Sequence, residues 1–159
     1  RGSILISSFV SQALALLIYN LGLWGVSYGM AALQPDFDAA SFALACLSLY
    51  FSYFMVEVMY LAIGYLLSVF LSHSSQASAA AFAVLLASLL LGIVGGAIPA
   101  LGWMLFLSPY HYINTGLVLE SAMLGAPAGV FPYALICLIF SLILGALACV
   151  RYYFKDFNV

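Results

Sequence analysis

The sequence predicts an all-α, polytopic membrane protein with four transmembrane helices and a re-entrant or interfacial helical hairpin before the last of them. Two observations carry this. Of 159 residues, 67% are hydrophobic and only 5% are charged, whereas a soluble globular domain carries about 25% charged residues. Residues 58–119 contain no Asp, Glu, Lys or Arg at all, and a single bilayer crossing needs only about 20 apolar residues.

The first crossing is expected over about residues 4–32. It ends at Leu33-Gln34-Pro35-Asp36-Phe37-Asp38, where a proline and two carboxylates cannot continue into lipid. An apolar run behind Arg1 has the outline of a signal peptide, but Gln12 and Asn20 interrupt it and it continues too far. The second crossing covers about 40–71 and gives way to Ser72-His73-Ser74-Ser75-Gln76. An Ala-rich third follows over about 77–98 and is closed by Pro99, and the fourth spans about 131–150, stopping at Arg151. Between the last two, residues 99–127 hold Pro99, Pro109, Gly102, Gly116, Gly125, His111, Asn114 and Glu120. That stretch is too broken for a straight lipid-facing helix and too apolar for an aqueous loop, so a re-entrant or interfacial hairpin is expected there.

Four crossings put both termini on one side. Arg1, Arg151 and Lys155 then share that side, and Asp36, Asp38 and Glu120 fall on or near the other. Cytoplasmic ends collect Lys and Arg, so both termini are expected in the cytoplasm of a cell-membrane protein. A net charge of -2 with three cations leaves no basic surface for nucleic acid or anionic headgroups. The single cysteines Cys46, Cys137 and Cys149 lack the pairing of metal or redox motifs and suit small buried positions.

Glu57 is the outstanding side chain. An ionised carboxylate near mid-span costs at least about 2.5 kcal/mol. Tyr50, Tyr53, Glu57, Tyr60, Gly64 and Ser68 follow helical steps and share one face. Gln12, Tyr19, Asn20 and Ser27 form a weaker stripe on the first span, and the two stripes face each other or a common cavity. Glu57 then either lines a polar route for substrate or proton, with Tyr50, Tyr53, Tyr60, Gln12 and Asn20, or holds the bundle together through tyrosine hydroxyls. Gly25-x-x-x-Gly29 and Gly92-x-x-x-Gly96 place glycines one turn apart for close helix approach. His73 and His111 have no zinc-site spacing, and Gly92 to Gly96 lacks the Lys and Ser or Thr of a phosphate loop, so no catalytic residue, metal or cofactor is expected.

Four local matches, taken in order along the chain, resemble the second half of an ABC transporter permease of the type-2 exporter superfamily. Arg1-Gly2-Ser3-Ile4-Leu5-Ile6-Ser7-Ser8-Phe9 is similar to the arginine-led segment that leaves the cytoplasmic coupling region. Leu61-Ala62-Ile63-Gly64-Tyr65-Leu66-Leu67-Ser68-Val69-Phe70-Leu71 resembles a small-residue stretch before a short cytoplasmic turn. Trp103-Met104-Leu105-Phe106-Leu107-Ser108-Pro109-Tyr110-His111-Tyr112 resembles the extracytoplasmic aromatic segment with its Ser-Pro core, followed by an acidic residue at the place of Glu120. Arg151-Tyr152-Tyr153-Phe154-Lys155-Asp156-Phe157 is similar to the tail of bacterial members.

The resemblance implies a permease that pairs with a second permease subunit, identical or not, around a substrate path and rests on cytoplasmic ABC ATPase subunits. Arg1, Gly2 and Ser3 would belong to the coupling segment, and Ser108, Pro109 and Glu120 would shape an outer gate. The family usually has six spans, so the chain is either the C-terminal part of such a permease or a truncated relative. Glu57 matches no family motif and inherits no role. From another class comes the alternative of a membrane scaffold or assembly subunit that transports nothing.

Overall fold

The computed structural model describes residues 2–33, 39–71, 73–112 and 131–155. They form four long helices: α1 (Gly2–Ala31), α2 (Ala39–Phe70), α3 (Ser74–Ala97) and α4 (Phe131–Lys155). Two 3-10 helices, Pro99–Leu107 and Pro109–Tyr112, follow α3. Each long helix contains an apolar window long enough to cross a bilayer, Ser3–Ala31, Phe42–Phe70, Ser75–Ala97 and Ala134–Phe154. The protein is thus an all-α, multi-pass membrane protein.

Two helix ends differ from expectation. α4 does not stop at Arg151 but continues to Lys155, because a cation ends a lipid-facing stretch without ending a helix; Arg and Lys are good helix formers. α3 begins at Ser74, so Ser74, Ser75 and Gln76 are its first turn and not part of the break. The Ser75 and Gln76 side chains are exposed there while the backbone is already helical.

The distribution of side chains is that of a protein dissolved in lipid. Most buried positions are small or polar, Ala45, Cys46, Ala62, Ala134, Cys137 and Ala148 with Asn20, Ser52, Ser88 and Ser141 among them, and the larger apolar exceptions include Val56, Met59 and Val69. Large apolar side chains such as Ile18, Phe82, Leu90, Ile93, Phe140 and Leu142 are exposed. In water so much exposed apolar surface would drive association. In a bilayer it costs nothing, and helices associate through small residues that let backbones approach. α4 shows the pattern most clearly, with Ala134, Cys137, Ser141 and Ala148 on one stripe against α2 and aliphatic side chains elsewhere. The Ser141 hydroxyl is satisfied locally, donating to the Cys137 carbonyl at 2.8 Å.

α2 is the hub, touching α1, α3 and α4. Its contacts with α1 run in opposite order along the two helices, Ser8 with Tyr65, Asn20 with Glu57 and Ser27 with Tyr50, so the pair is antiparallel. α4 runs parallel to α2. Cys137 packs with Val56 and Met59, and farther along the Arg151 guanidinium lies 5.4 Å from the Phe70 ring centre. The start of α1 and the end of α4 therefore lie at one end of the bundle. No Cα of α1 comes within 8 Å of one in α3.

After α3 the chain turns back along it. Ile98 donates its N–H to the Val94 carbonyl at 3.0 Å, and Pro99 opens the first 3-10 helix at a position where its missing N–H costs nothing. The limb needs no lipid-facing bonds, because Leu101 N–H reaches Ile98 O at 2.9 Å and Ser108 N–H reaches Leu105 O at 3.0 Å. Leu105 packs on Gly95 and Ser108 on Gly92. The Tyr110 ring lies tilted against that of Tyr60, 5.7 Å between centres, and the Tyr60 hydroxyl bonds Ser88. Gly92, which Ser108 meets, is five residues before Ala97, so at 1.5 Å per residue the limb descends at least about 7 Å from the end of α3. This is the entering limb of the expected re-entrant segment, built as 3-10 and not α-helix; residues 113–130, including Glu120, lie outside the described residues.

Gly95 and Gly96 should respond oppositely to Val. A Cβ on Gly95 would lie 3.1 Å from the Leu105 backbone nitrogen, whereas one on Gly96 meets nothing within 4 Å. Gly95→Val is expected to cost about 1–3 kcal/mol and lower the thermal unfolding midpoint in detergent, with Gly96→Val near neutral. The shared end of the bundle is tested by labelling. In a cysteine-free background, Ser3→Cys and Tyr152→Cys should react with a membrane-impermeant maleimide from the same face of sealed vesicles.

Candidate functional site

The polar residues of α1 and α2 meet in a seam. Near the centre of α2's apolar window, the Glu57 carboxylate accepts a hydrogen bond of 2.6 Å from the Asn20 side-chain amide. The same amide nitrogen donates its other hydrogen to the Leu16 carbonyl at 3.0 Å, so both amide hydrogens are used. Asn20 is the one buried side chain of α1 among the described residues. Toward the start of α1, Ser8 and Tyr65 share a 2.7 Å hydrogen bond and Phe9 meets the Tyr65 ring edge-on. Toward the other end, Ser27 and Tyr50 share one of 2.6 Å, and the Trp24 indole donates to the Ala43 carbonyl at 3.3 Å.

The two sequence stripes thus face each other, but not every member does so. Tyr50 and Glu57 face α1. Tyr60 instead turns to α3, where its hydroxyl meets Ser88, and Tyr53 packs against the Val56, Met59 and Cys137 cluster. Tyr19 is 58% exposed and points to lipid. A stripe that winds by 100° per residue covers a broad sector, and long tyrosines at its edges reach different neighbours. The glycine motifs divide as well. Gly92 and Gly95, not Gly92 and Gly96, admit the re-entrant limb, while Gly25 and Gly29 have nothing within 4 Å of a built Cβ.

Beside the seam, toward the termini, α2 floors an open cleft of about 370 Å³ lined by Gln12, Tyr60, Leu61, Gly64, Tyr65 and Ser68. Of the expected path residues, Gln12 and Tyr60 line it, whereas Glu57, Asn20, Tyr50 and Tyr53 do not. Ser108 and Pro109 are buried at the joint of the two 3-10 helices, and the Ser108 hydroxyl is a buried polar group with no hydrogen-bond partner among the described residues. Gly2 and Ser3 are the first residues of α1, and Arg1 lies outside the described residues. Sequence reasoning did not single out Tyr65 and Ser88 as site residues. Tyr65 is one step off the Gly64 position of the stripe, and Ser88 is a lone hydroxyl in a Leu-rich run, each a signal weaker than a carboxylate.

Compared with protein-family models, curated proteins and solved structures, the chain matches none. The site is therefore read from its own chemistry. It can pass hydrogen bonds across α1 and α2, hold a carboxyl group at mid-membrane and expose uncharged polar groups to the lipid.

A double-mutant cycle on Asn20→Leu and Glu57→Leu in detergent unfolding should give a coupling of about 0.6–1.7 kcal/mol, the range of interhelical hydrogen bonds in membranes. Additive effects would mean the two side chains do not meet.

Proposed function

We propose that the protein is the membrane-spanning permease subunit of an ATP-driven ABC exporter. It forms the substrate path with a second permease subunit, identical or not, and couples to separate cytoplasmic ATPase subunits. The observation that carries this reading is the limb 99–112, an irregular segment descending into the bundle beside α3. Non-helical backbone at membrane depth is tolerated where protein buries it or where it lines a path, and the resemblance of residues 103–112 to an exporter's Ser-Pro aromatic segment supports the same conclusion. The chain supplies the route and the partner the energy of ATP. Both termini lie in the cytoplasm of the cell (inner) membrane, so that Gly2 and Ser3 meet the ATPase, and Ser108 and Pro109 belong to the opposite, outer gate.

In this reading Glu57 and Asn20 tie α1 to α2 so that a push on α1 is transmitted to the hub. The alternative, a scaffold that transports nothing, draws on the unfilled Gly25 and Gly29 face of α1, which offers a partner helix close approach.

The test is reconstitution. Purified in mild detergent, the protein should bring along an ATPase subunit, and vesicles holding both should hydrolyse ATP faster when substrate is present. Glu57→Gln should keep the fold and reduce transport. A full set of co-purifying partners without any ATPase would overturn the permease reading and leave the scaffold.

A further inference from the structure

We propose that the cleft on α2 is a binding site for an uncharged, hydrogen-bonding amphiphile that enters sideways from the bilayer. This rests on the permease reading only for its consequence, transport, and not for binding itself. The cleft is lined from α1 by Gln12 and from α2 by Tyr60, Leu61, Gly64, Tyr65 and Ser68. Its volume of about 370 Å³ falls within the usual range for small-molecule sites. α1 and α3 do not approach each other, so these two helices do not close it between them.

Its polar groups are unequally engaged. The Tyr60 hydroxyl is bonded to Ser88, that of Tyr65 to Ser8, and Ser68 donates to the Tyr65 carbonyl. The Gln12 carboxamide has no hydrogen-bond partner among the described residues, although it lies inside the Ser3–Ala31 apolar window. A carboxamide offers two donors and one acceptor, and leaving it unpaired in hydrocarbon is costly. Gln12 therefore calls for a partner from outside this chain, and Gly64, whose built Cβ meets nothing within 4 Å, leaves the floor beneath it clear.

The chemistry of that partner follows from the lining. Among the described residues it contains no Lys, Arg, His, Asp or Glu, so a phosphate or ammonium headgroup would be desolvated there without a counter-charge. The carboxylate nearest in sequence, Glu57, is held by Asn20 on the α1 side. A hydroxyl or ester head can accept from the Gln12 amide, and a hydroxyl can also donate to its carbonyl. The cleft runs from Tyr60 to Ser68, eight residues or about 12 Å of helix, close to the depth of one leaflet's hydrocarbon. Ser68 lies near the end of α2 that the bundle shares with the start of α1. A diacylglycerol-like molecule in that leaflet reaches the site without entering water.

The test uses a diacylglycerol carrying a photoreactive acyl chain, in phosphatidylcholine vesicles holding the full chain, without ATPase or nucleotide. Cross-links should concentrate on the cleft residues of α1 and α2. Gln12→Leu, which removes no hydrogen bond seen within the chain, should lower them about fivefold, the effect of losing a hydrogen bond of about 1 kcal/mol. Gly64→Leu should lower them at least as much by filling the floor. A phosphatidic acid probe with the same chain should label the cleft no more than the helix faces elsewhere. Labelling spread evenly over the lipid-facing helices, unchanged by both variants, or equal for phosphatidic acid, would overturn the proposal. Because no ATP is turned over, this result is independent of the reconstitution that decides the permease reading.

Discussion

A carboxyl group at the centre of an apolar span must be satisfied from within the protein, and the way Asn20 satisfies Glu57 fixes how α1 sits on α2. The two amide hydrogens of Asn20 serve the Leu16 carbonyl and the Glu57 carboxylate, so the donor is held by its own helix before it reaches across. Sliding α1 by one turn, about 5.4 Å, would break this contact together with Ser8–Tyr65 and Ser27–Tyr50. The alternatives available in lipid are unpaired polar groups. Register is therefore specified by these three side-chain pairs, with the Trp24 indole on the Ala43 carbonyl as a fourth polar contact, along a helix whose one buried described side chain is itself polar. Apolar packing alone could not do this, since lipid is as good a neighbour for Leu as another Leu.

The other attachments to α2 work differently. α4 is held by close approach of small residues, Ala134, Cys137, Ser141 and Ala148, with Val56 and Met59 filling the contact. Its cation at the membrane end, Arg151, rests on the Phe70 ring, an interaction favoured where water is partly excluded. α3 is joined by the Tyr60–Ser88 bond and by the limb, whose Tyr110 ring packs against Tyr60. One helix thus serves three neighbours because its polar, aromatic and small residues occupy different sectors of its circumference.

Composition was enough to read the spans, because an apolar stretch of that length would be insoluble unless lipid surrounded it. The helix ends departed from that reading only where the backbone stays helical through polar positions, at Ser74 and beyond Arg151. The α1–α2 seam was legible for a related reason. Polar residues are rare in such a sequence, so Asn20, Ser27, Tyr50 and Glu57 carried information that aliphatic neighbours could not. What lay between aliphatic or small residues was not legible. The small residues of α4 that meet α2, Ala134, Cys137, Ser141 and Ala148, recur on one face, but it is their burial that marks that face as the contact. The one-turn glycine spacing at Gly92 and Gly96 marked the right segment of α3, but the limb crosses it at an angle that uses Gly92 and Gly95. The 3-10 form of the limb was equally hidden, since Pro99 and Pro109 announce a break without stating what replaces the α-helix.

α1 is attached to α2 and the limb chiefly to α3, and the two attachments are opposite in kind. α1 is tied by directional hydrogen bonds whose loss leaves groups unpaired in oil. The limb is seated by shape: Leu105 on Gly95, Ser108 on Gly92, and Tyr110 on the Tyr60 ring. Its backbone bonds are internal and travel with it, as His111 N–H to Ser108 O at 3.0 Å illustrates. Those backbone bonds would survive lifting it, and the Ser108 hydroxyl, without a partner among the described residues while buried, would gain one on reaching water. The cost of seating an unpaired hydroxyl, about 1–3 kcal/mol, opposes the packing that holds the limb down. α1 has no such opposing term. Within one bundle, therefore, the polar seam makes α1 and α2 move together, while the limb's own chemistry weakens its seat against α3, and Tyr60, which touches both the limb and the cleft, stands where the two behaviours meet.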